Sequence, residues 1–224
     1  MIDGLPDLPR WVEAHGLSTD PHAWRRTLGA GGCIGDSTGP DPVIVVWGEA
    51  PVADVIALAA ELPDHTLLLA SERDDLVAAL PRICVRAILH TLTDPAELPD
   101  YEGAEPLPAG TDLTHLPEDL RAEITYALTH TTVWTAWVDG LPVSFAYAAS
   151  RSERWFDIGV DTAPGARQLG LATIVAAQLI HSERSPGREP VWGATEDNIA
   201  SLRLAARLGF HAVDELWVAI PVSG

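Results

Sequence analysis

The residues with the clearest chemical potential lie between Asp157 and Ala172, in the segment DIGVDTAPGARQLGLA. An apolar segment ending near Val160 has the pattern of a buried strand, and after a short turn an apolar helix is predicted to begin near Gln168. The first N–H groups of a helix lack intrahelical partners, and the helix dipole adds positive potential there. Gly170, which has no Cβ, lets a ligand approach the backbone closely. The pattern therefore predicts a site for a phosphate-like anion.

Two familiar phosphate motifs do not account for this segment. The glycine spacing differs from that of a dinucleotide-binding loop, and no acidic residue follows a second strand at the expected distance. All 14 basic residues are arginine, so neither a P-loop lysine nor a Schiff-base lysine is available. Taken alone, a glycine at a helix start is also typical of a simple tight turn.

Two motifs taken together carry a resemblance to a known family. They are Arg167-x-x-Gly170-x-Ala172 and, downstream, Asn198-x-x-Ser201 followed by Leu208-Gly209-Phe210. Over about residues 113–224 the sequence resembles the GNAT superfamily of acyl-CoA-dependent N-acetyltransferases. The phrases WFDIGVDT, PVWGA and NIASLRLAARLGF are similar to a two-part branch that includes antibiotic-acetylating members.

The resemblance implies acetyl-CoA, released as coenzyme A, as the co-substrate. Val160 would offer its backbone to the pantetheine arm, and the N–H groups of residues 168–173 would hold the pyrophosphate. Arg203 and Arg207 lie one helical turn apart, where they either meet a cofactor phosphate or form a solvated helix face. The residues expected to contact the cofactor are Ile158, Gly159, Val160, Arg167, Gln168, Leu169, Gly170, Leu171, Ala172, Thr173, Asn198, Ser201, Arg203 and Arg207. Asn198 and Ser201 have an alternative role, which is to order the region around the separated strands.

Acetyl transfer to an amine needs a base, because an ammonium group cannot attack a thioester. Asp157 is the first candidate, since its strand carries aromatic neighbours and partial burial is expected to raise its pKa. The resembling branch also has an acid at this position. The alternative is that Asp157 caps or pairs across the sheet. Glu196 and Glu153 are further candidates for the base.

The general acid is less clear from the sequence. Many members of the resembling family have a tyrosine four residues before the glycine of Leu-Gly-Phe, and this chain has Ala205 there. Either Tyr147, His211 or water substitutes, or the thiolate departs unassisted. We therefore include both Asp157 and Tyr147 among the expected catalytic residues.

The elements that must position these residues are clearest in the second half. Asp139-Gly140 between two strand-like runs predicts a β-hairpin, followed by a third antiparallel strand. Asn198 can cap the last helix, and Gly209 can end it. The expected elements are a helix over 117–130, strands over 133–138, 141–150 and 154–160, a helix from about 168 to 184, a strand over 190–194, a helix over 198–208 and a strand over 210–220.

The first half predicts alternating helices and strands, typical of an α/β unit. We expect a short helix near 20–28, a glycine-rich loop over 29–42, strands over 43–47, 65–70 and 82–92, and helices over 52–62 and 72–80, the last capped by Ser71. No internal repeat is obvious. The predicted fold is α/β (α+β), with a GNAT-like mixed, centrally antiparallel, splayed sheet flanked by helices.

The sequence also suggests a division into two domains. A proline- and acid-rich segment over 93–111 is incompatible with a regular helix or a central strand and is expected to link them. We therefore predict an N-terminal α/β domain over 1–110 and a GNAT acetyltransferase domain over 111–224. The first domain is either a degenerate GNAT-like half or a substrate lid.

Composition limits the classes of partner. The 224 residues include 32 acidic and 14 basic side chains, for a formal net charge of −18, which disfavours nucleic acid and anionic membranes. The apolar fraction of 47% excludes a disordered acidic chain. The start of the sequence lacks the pattern of a signal peptide, so we expect a cytoplasmic protein with two free thiols. The eight histidines lack metal-ligand spacing, and no metal is expected.

These observations lead to one leading function and two alternatives. We expect an acetyl-CoA-dependent N-acetyltransferase that modifies a primary amine of a small cationic molecule, because a negative cleft concentrates cations. The alternatives are a non-catalytic acyl-CoA-binding sensor and an N-acetyltransferase of proteins or peptides. The expected partner is a small-molecule amine, with neither nucleic acid nor membrane, and the chain is expected to be a monomer or a homodimer.

Overall fold

A computed structural model describes residues 2, 4–92, 98, 101–184 and 186–222. The helices are α1 (Val12–Leu17), α2 (Val52–Glu61), α3 (Asp74–Ala79), α4 (Glu118–His130), α5 (Leu171–Arg184) and α6 (Ile199–Arg207). The strands are β1 (Trp24–Leu28), β2 (Ala30–Gly35), β3 (Val43–Glu49), β4 (Thr66–Ala70), β5 (Ile83–Leu92), β6 (Glu105–Pro106), β7 (Trp134–Val138), β8 (Leu141–Arg151), β9 (Trp155–Thr162), β10 (Glu189–Thr195) and β11 (Phe210–Ile220). No helix among the described residues is both long and apolar enough to cross a membrane.

The strands form one mixed sheet in the order β1-β2-β3-β4-β11-β5-β10-β9-β8-β7-β6. Pairing is antiparallel except between β3 and β4 and between β9 and β10, which are parallel. Helices lie against this sheet, as in the mixed, helix-flanked architecture predicted from the sequence. The expected fold class is therefore confirmed.

The two halves of the chain repeat one order of elements. Each half has a helix, three consecutive antiparallel strands, and then helix, strand, helix and strand: α1 through β5 in the first, α4 and β7 through β11 in the second. In each half the third and fourth of these strands pair in parallel. The sequence analysis found no repeat, because the similarity lies in the order and pairing of elements and not in matching residues.

The last strands of the two halves are exchanged. β11 pairs with β4 of the first half, while β5 pairs with β10 of the second half. β5 and β11 then pair with each other at the centre of the sheet. The hydrogen-bonded sheet therefore crosses the predicted boundary at 110, and the division into two domains stays a prediction.

The second half follows its local sequence signals closely. Asp139 and Gly140 have φ values of 50° and 77°, the left-handed pair that a tight hairpin between β7 and β8 requires. The side chain of Asn198 accepts a hydrogen bond from the N–H of Ser201 at 3.1 Å, so the predicted cap of α6 is confirmed. Gly209, with φ of 89°, ends that helix in the left-handed conformation.

The first half departs from prediction where glycines are dense. The helix expected near 20–28 is wrong, because β1 occupies that segment, and the loop expected over 29–42 contains β2. A Cβ at Gly32 would lie 2.7 Å from the Trp47 ring, and one at Gly35 would lie 2.6 Å from the Trp24 ring. These glycines therefore lie in a strand and leave room for indole rings to cover them.

Three smaller differences concern a helix cap, an additional helix and the predicted linker. The cap assigned to Ser71 is wrong, since α3 begins at Asp74 with Arg73 at its N-cap. The helix α1 was not predicted. The linker over 93–111 falls partly outside the described residues, and its described part contributes β6, a two-residue strand on the edge of the sheet beside β7.

Alternate residues of β8 and β9 face opposite sides of the sheet. One side packs against α5 through Ala146, Ala148, Phe156 and Ile158. Tyr147 packs on the other side with residues of α4. Because strand side chains alternate, Asp157 and Gly159 also point to that second side, away from α5.

Candidate active site

The sheet opens between β9 and β10. The two strands pair in parallel only between residues 155–157 and residues 189–191. β9 continues to Thr162 and β10 to Thr195, and these two fully described strands share no further register pairs. The edge of β9 that carries Ile158, Gly159 and Val160 is therefore available on this side to pair with an extended ligand.

A loop over residues 163–170 joins β9 to α5 and opens to solvent. Gln168 and Gly170 have φ values of 66° and 80°, and a Cβ on Gly170 would meet open space. Arg167 is exposed, and its Nε donates to the carbonyl of Thr162 at 3.3 Å. Leu169 is 60% exposed, so the backbone at the start of α5 is uncovered. Free N–H groups, a helix dipole and an arginine thus converge on one accessible place.

The downstream motif orders this region. Asn198 caps α6, and the Oγ of Ser201 accepts a hydrogen bond from Nε1 of Trp192 on β10 at 2.9 Å. These contacts fit the ordering role expected for Asn198 and Ser201, and their contact with the cofactor stays a prediction. Arg203 and Arg207 are exposed on α6, which fits both of the alternatives given for them.

The remaining predicted loop residues begin the helix. Leu171 and Ala172 are half-buried, and Thr173 is buried with its N–H donating to the carbonyl of Gly170 at 3.1 Å. That bond closes the first turn of α5. The N–H groups of the residues before Thr173 precede the first hydrogen bond of the helix, so they lack intrahelical partners and can bind an anion.

Among its described residues, the first half lacks a counterpart of this loop, although its elements repeat in the same order. Only Ala50 and Pro51 separate β3 from α2. The guanidinium of Arg73 donates to the carbonyls of Gly48 and Ala50 at 3.0 and 2.8 Å. An arginine side chain therefore satisfies the backbone at the place where, in the second half, β9 is open.

A cavity of about 560 Å³ lies between the halves on the side of the sheet opposite α5. Its wall is built by α1, the segment after β2, α4 and β8. The hydroxyl of Tyr126 on α4 donates to Oδ2 of Asp36 at 3.1 Å and so links the two halves across the rim. Carboxylates dominate the charge of the wall: Glu13, Asp20, Asp36, Asp41 and Glu123.

Tyr147 lies in a cluster of acidic groups at this wall. Its hydroxyl donates to Glu123 and lies 3.4 Å from Oδ2 of Asp161. Burial, followed by the charges of these two carboxylates, raises the pKa of Tyr147 far above its ordinary value. Burial, followed by the charge of Glu123, raises the pKa of Asp161 to about 6. Tyr147 therefore holds its proton firmly, which makes it a weak acid toward a thiolate, and its role as general acid stays a prediction.

Asp157 lies at the point where β9 and β10 separate. Burial raises its pKa to about 6, and a hydrogen bond from the N–H of Ile158 opposes that shift. In the register of β8 and β9, Asp157 is opposite Ser150, just beyond a bulge at Ala149. Among the described residues, Asp157 is not part of the cavity wall, whereas Glu13 and Ser150 are.

The other candidates lie elsewhere. Glu153 and Glu196 are exposed in turns, and neither lines the described cavity. His211 lies on β11 opposite Thr91. Ala205 is fully buried in the core that packs against α5, which explains why a small residue fits there.

Three acidic residues of this region were missed in the sequence. Asp161 shares the face of Asp157 by strand alternation, so the pattern of β9 contained a signal for it. Glu123 and Glu13 come from helices distant in sequence, and only the fold brings them to the cavity.

Comparisons with known proteins agree with this geometry. Residues 135–218 match the family model described as GNAT acetyltransferase. A protein assigned to the GNAT family of acetyltransferases from Novosphingobium aromaticivorans has a similar structure, with a TM-score of 0.68 at 19% identity over 95% of this chain and 96% of that one. A GCN5-related N-acetyltransferase-like protein from Streptococcus suis gives 0.68 at 19% identity over 97% and 94%.

A tandem GNAT protein from the clavulanic acid biosynthesis pathway is also similar, with a TM-score of 0.54 at 14% identity over 96% of this chain and 95% of that one. No curated protein sequence matches the chain. The matched segment contains β9 and β10, which separate to form the opening, together with β8, the loop over 163–170 and α6. Residues 135–218 therefore match the GNAT acetyltransferase family model, and the chain as a whole has the GNAT fold.

Proposed function

We propose that this protein transfers the acetyl group of acetyl-CoA to a primary amine of a small cationic molecule. The observation that carries the proposal is that two different sites lie on opposite sides of the sheet, each next to β9. An anion-binding loop lies at the start of α5, and a carboxylate-lined cavity lies on the opposite side of the sheet. The cavity wall includes β8, which is the direct neighbour of β9, so the gap lies one strand away from the cavity. We propose this gap as the route by which the thioester reaches the amine.

The residues on the cofactor side fit acetyl-CoA. The uncovered N–H groups at the start of α5 and the exposed Arg167 suit the pyrophosphate, and the open edge of β9 at Val160 suits an extended pantetheine chain. Acetyl-CoA supplies the thioester, and these residues orient it. Arg73 closes the corresponding place in the first half, so we expect one acetyl-CoA per chain.

The cavity side fits a small cation. Its volume of about 560 Å³ is within the range of small-molecule sites. Several carboxylates face it from both halves, and such a wall raises the local concentration of cations. The repeated element order supports a degenerate GNAT-like origin for the first half, which then contributes one wall of the acceptor site.

The chemistry requires removal of protons from the amine. A carboxylate with a pKa of about 6, such as Asp157, is ionised at neutral pH and still accepts a proton more readily than an ordinary aspartate. Once neutral, the nitrogen attacks the thioester carbonyl and the C–S bond breaks. One of the two protons lost by the ammonium group ends on the CoA sulfur and the other reaches solvent.

The test combines calorimetry with an assay of free thiol. The wild type should bind CoA and release thiol from acetyl-CoA only when an amine is present, with di- and polyamines favoured over neutral amines. D157N should retain CoA affinity and lose about two orders of magnitude or more of kcat. D139N is the matched control, because Asp139 is an exposed turn residue and asparagine also suits that turn.

Two other functions give different results in the same assays. Tight CoA binding without acetyl transfer to any amine would support a sensor, for which the buried Ala205 in place of a tyrosine is the motivating feature. Acetylation of peptides in preference to free amines would support a protein N-acetyltransferase. Either result would overturn the proposed substrate class.

A further inference from the structure

The helix α1 of the first half packs unusually closely on β8 of the second. A Cβ at Gly16 would lie 1.9 Å from the Oγ of Ser150, so only glycine permits this approach. The Ser150 hydroxyl donates to the carbonyl of Val12 at 3.3 Å. One side of α1 is therefore fixed against the strand that borders the proposed active site.

This packing places Glu13 on the same side of the sheet as Asp157. Ser150 lies beside the Glu13 carboxyl, and Ser150 is also the register partner of Asp157. Burial raises the pKa of Glu13 to about 8, and the negative charge of Asp157 is the next cause. Glu13 lines the cavity and Asp157, among the described residues, does not.

We propose that Glu13 and Asp157 form a coupled carboxyl pair that takes up the proton of the acceptor amine, with Glu13 as the member on the cavity wall. This rests on the proposed acetyl transfer and assigns the first half a direct part in it. The chain would thus need both halves to complete its base.

The proton balance of the step is simple. Near neutral pH the pair holds one proton and one negative charge, as expected of two interacting carboxyls. An N–H bond of the ammonium group breaks, its proton passes to the ionised oxygen of the pair, and the pair becomes neutral while the nitrogen keeps the electron pair. The pair then returns this proton to solvent, and the second nitrogen proton follows to the CoA thiolate as the amide forms.

Other charged and titratable groups face the same space and affect the pair. From the first half they are Asp20, His22, Asp36 and Asp41. From α4 and β8 they are Glu123, Tyr126, His130, Tyr147 and Arg151. The charge of Asp36 also raises the pKa of Glu13. The upper inflection assigned to Glu13 therefore depends on the surrounding acids as well as on Asp157.

The test is the pH dependence of E13Q, with E102Q as the matched control because Glu102 is exposed and lies outside the cavity. For the wild type, kcat/KM should rise near pH 6 and again near pH 8 as the pair loses its two protons. E13Q should lose the upper inflection and roughly 10- to 100-fold of kcat, with unchanged CoA affinity. E102Q should match the wild type in all three.

A stability measurement supplies an independent readout. Because the folded pKa of Glu13 is above its unfolded value, its contribution to stability is present below about pH 4.5 and is lost as pH rises through about 8. The Tm of the wild type should therefore fall relative to that of E13Q between pH 5 and pH 8. If E13Q does not fold, D157N is measured in its place. Removing the charge of Asp157 should lower the pKa of Glu13, so the upper inflection of the pH profile should lie below pH 8.

The outcomes separate the two claims. A wild type that binds CoA and acetylates no amine would overturn the proposed function and this inference with it. A wild type that acetylates amines, beside an E13Q variant with the same kcat and the same pH profile, would overturn the inference alone.

Discussion

The contact between Gly159 and Tyr147 allows a prediction with a defined magnitude. The two residues are opposite each other on β9 and β8. A Cβ at Gly159 would lie 2.5 Å from Cε2 and Cζ of the Tyr147 ring and 2.9 Å from its hydroxyl oxygen. The ring cannot move aside freely, because it is buried and its hydroxyl donates to Glu123.

Gly159→Ala should therefore destabilise the protein by about 2–4 kcal/mol. Overpacking a well-filled interior costs about 1–3 kcal/mol. If the ring shifts, the weakened hydrogen bond to a carboxylate adds part of the roughly 1.5–3 kcal/mol that such bonds contribute. Gly165→Ala is the control, because a Cβ there meets no atom within 4 Å and its change in stability should stay within about 0.5 kcal/mol.

Equilibrium unfolding in urea, followed by tryptophan fluorescence, measures these free energies. A double-mutant cycle with Tyr147→Ala isolates the contact, since removal of the ring leaves space for the new methyl group. We expect a coupling energy of at least about 1.5 kcal/mol. Additivity of the two substitutions within about 0.5 kcal/mol would refute the argument, because it would mean that the ring does not limit residue 159.

Three further predictions concern other parts of the site. Asn198→Ala should lower the free energy of unfolding by about 0.5–2 kcal/mol through loss of the α6 cap, measured by urea unfolding, and a loss of CoA affinity much larger than this would instead indicate direct contact with the cofactor. Arg73→Ala should cost about 1–3 kcal/mol because two carbonyls lose their donor, and calorimetry should still find one CoA per chain with unchanged affinity; a weaker CoA affinity would contradict the view that Arg73 lies outside the CoA site. Asp161 has a folded pKa raised to about 6, so its stabilising contribution is present below about pH 4 and is lost as pH rises through 6. Thermal melts of Asp161→Asn should lack that decline, and a wild-type slope in the variant would contradict the assignment.

The sequence predicted the second half well because its signals are local. Three signals each act within a few residues, and the structure has all of them: the Asp139-Gly140 turn, the Asn198 cap of α6 and Gly209 at the end of α6. The loop over residues 163–170 was recognisable for the same reason, since an anion site at a helix start needs only one strand, one turn and one helix.

Long-range contacts account for what the sequence did not reveal. β1 and β2 depend on indole rings that cover glycines, and Trp47 reaches Gly32 only after β3 has paired. Glu13 comes to the region of Asp157 through a helix that is distant in sequence. Neither arrangement leaves a periodic pattern in the segment itself, so propensity and spacing could not find it.

The exchange of β5 and β11 at the centre of the sheet has a consequence for how the chain folds. During synthesis the first half emerges with β4 still lacking the neighbour that will cover it, because β11 is made after every other described strand. Arg10 likewise cannot form its hydrogen bond to Asp214 until that residue, 204 positions later, has been synthesised. Such distant pairings slow folding and leave strand edges exposed to aggregation in the meantime. A ribosome-bound chain that ends before β11 should therefore resist proteases poorly, with both halves becoming protected together once the last strand is released.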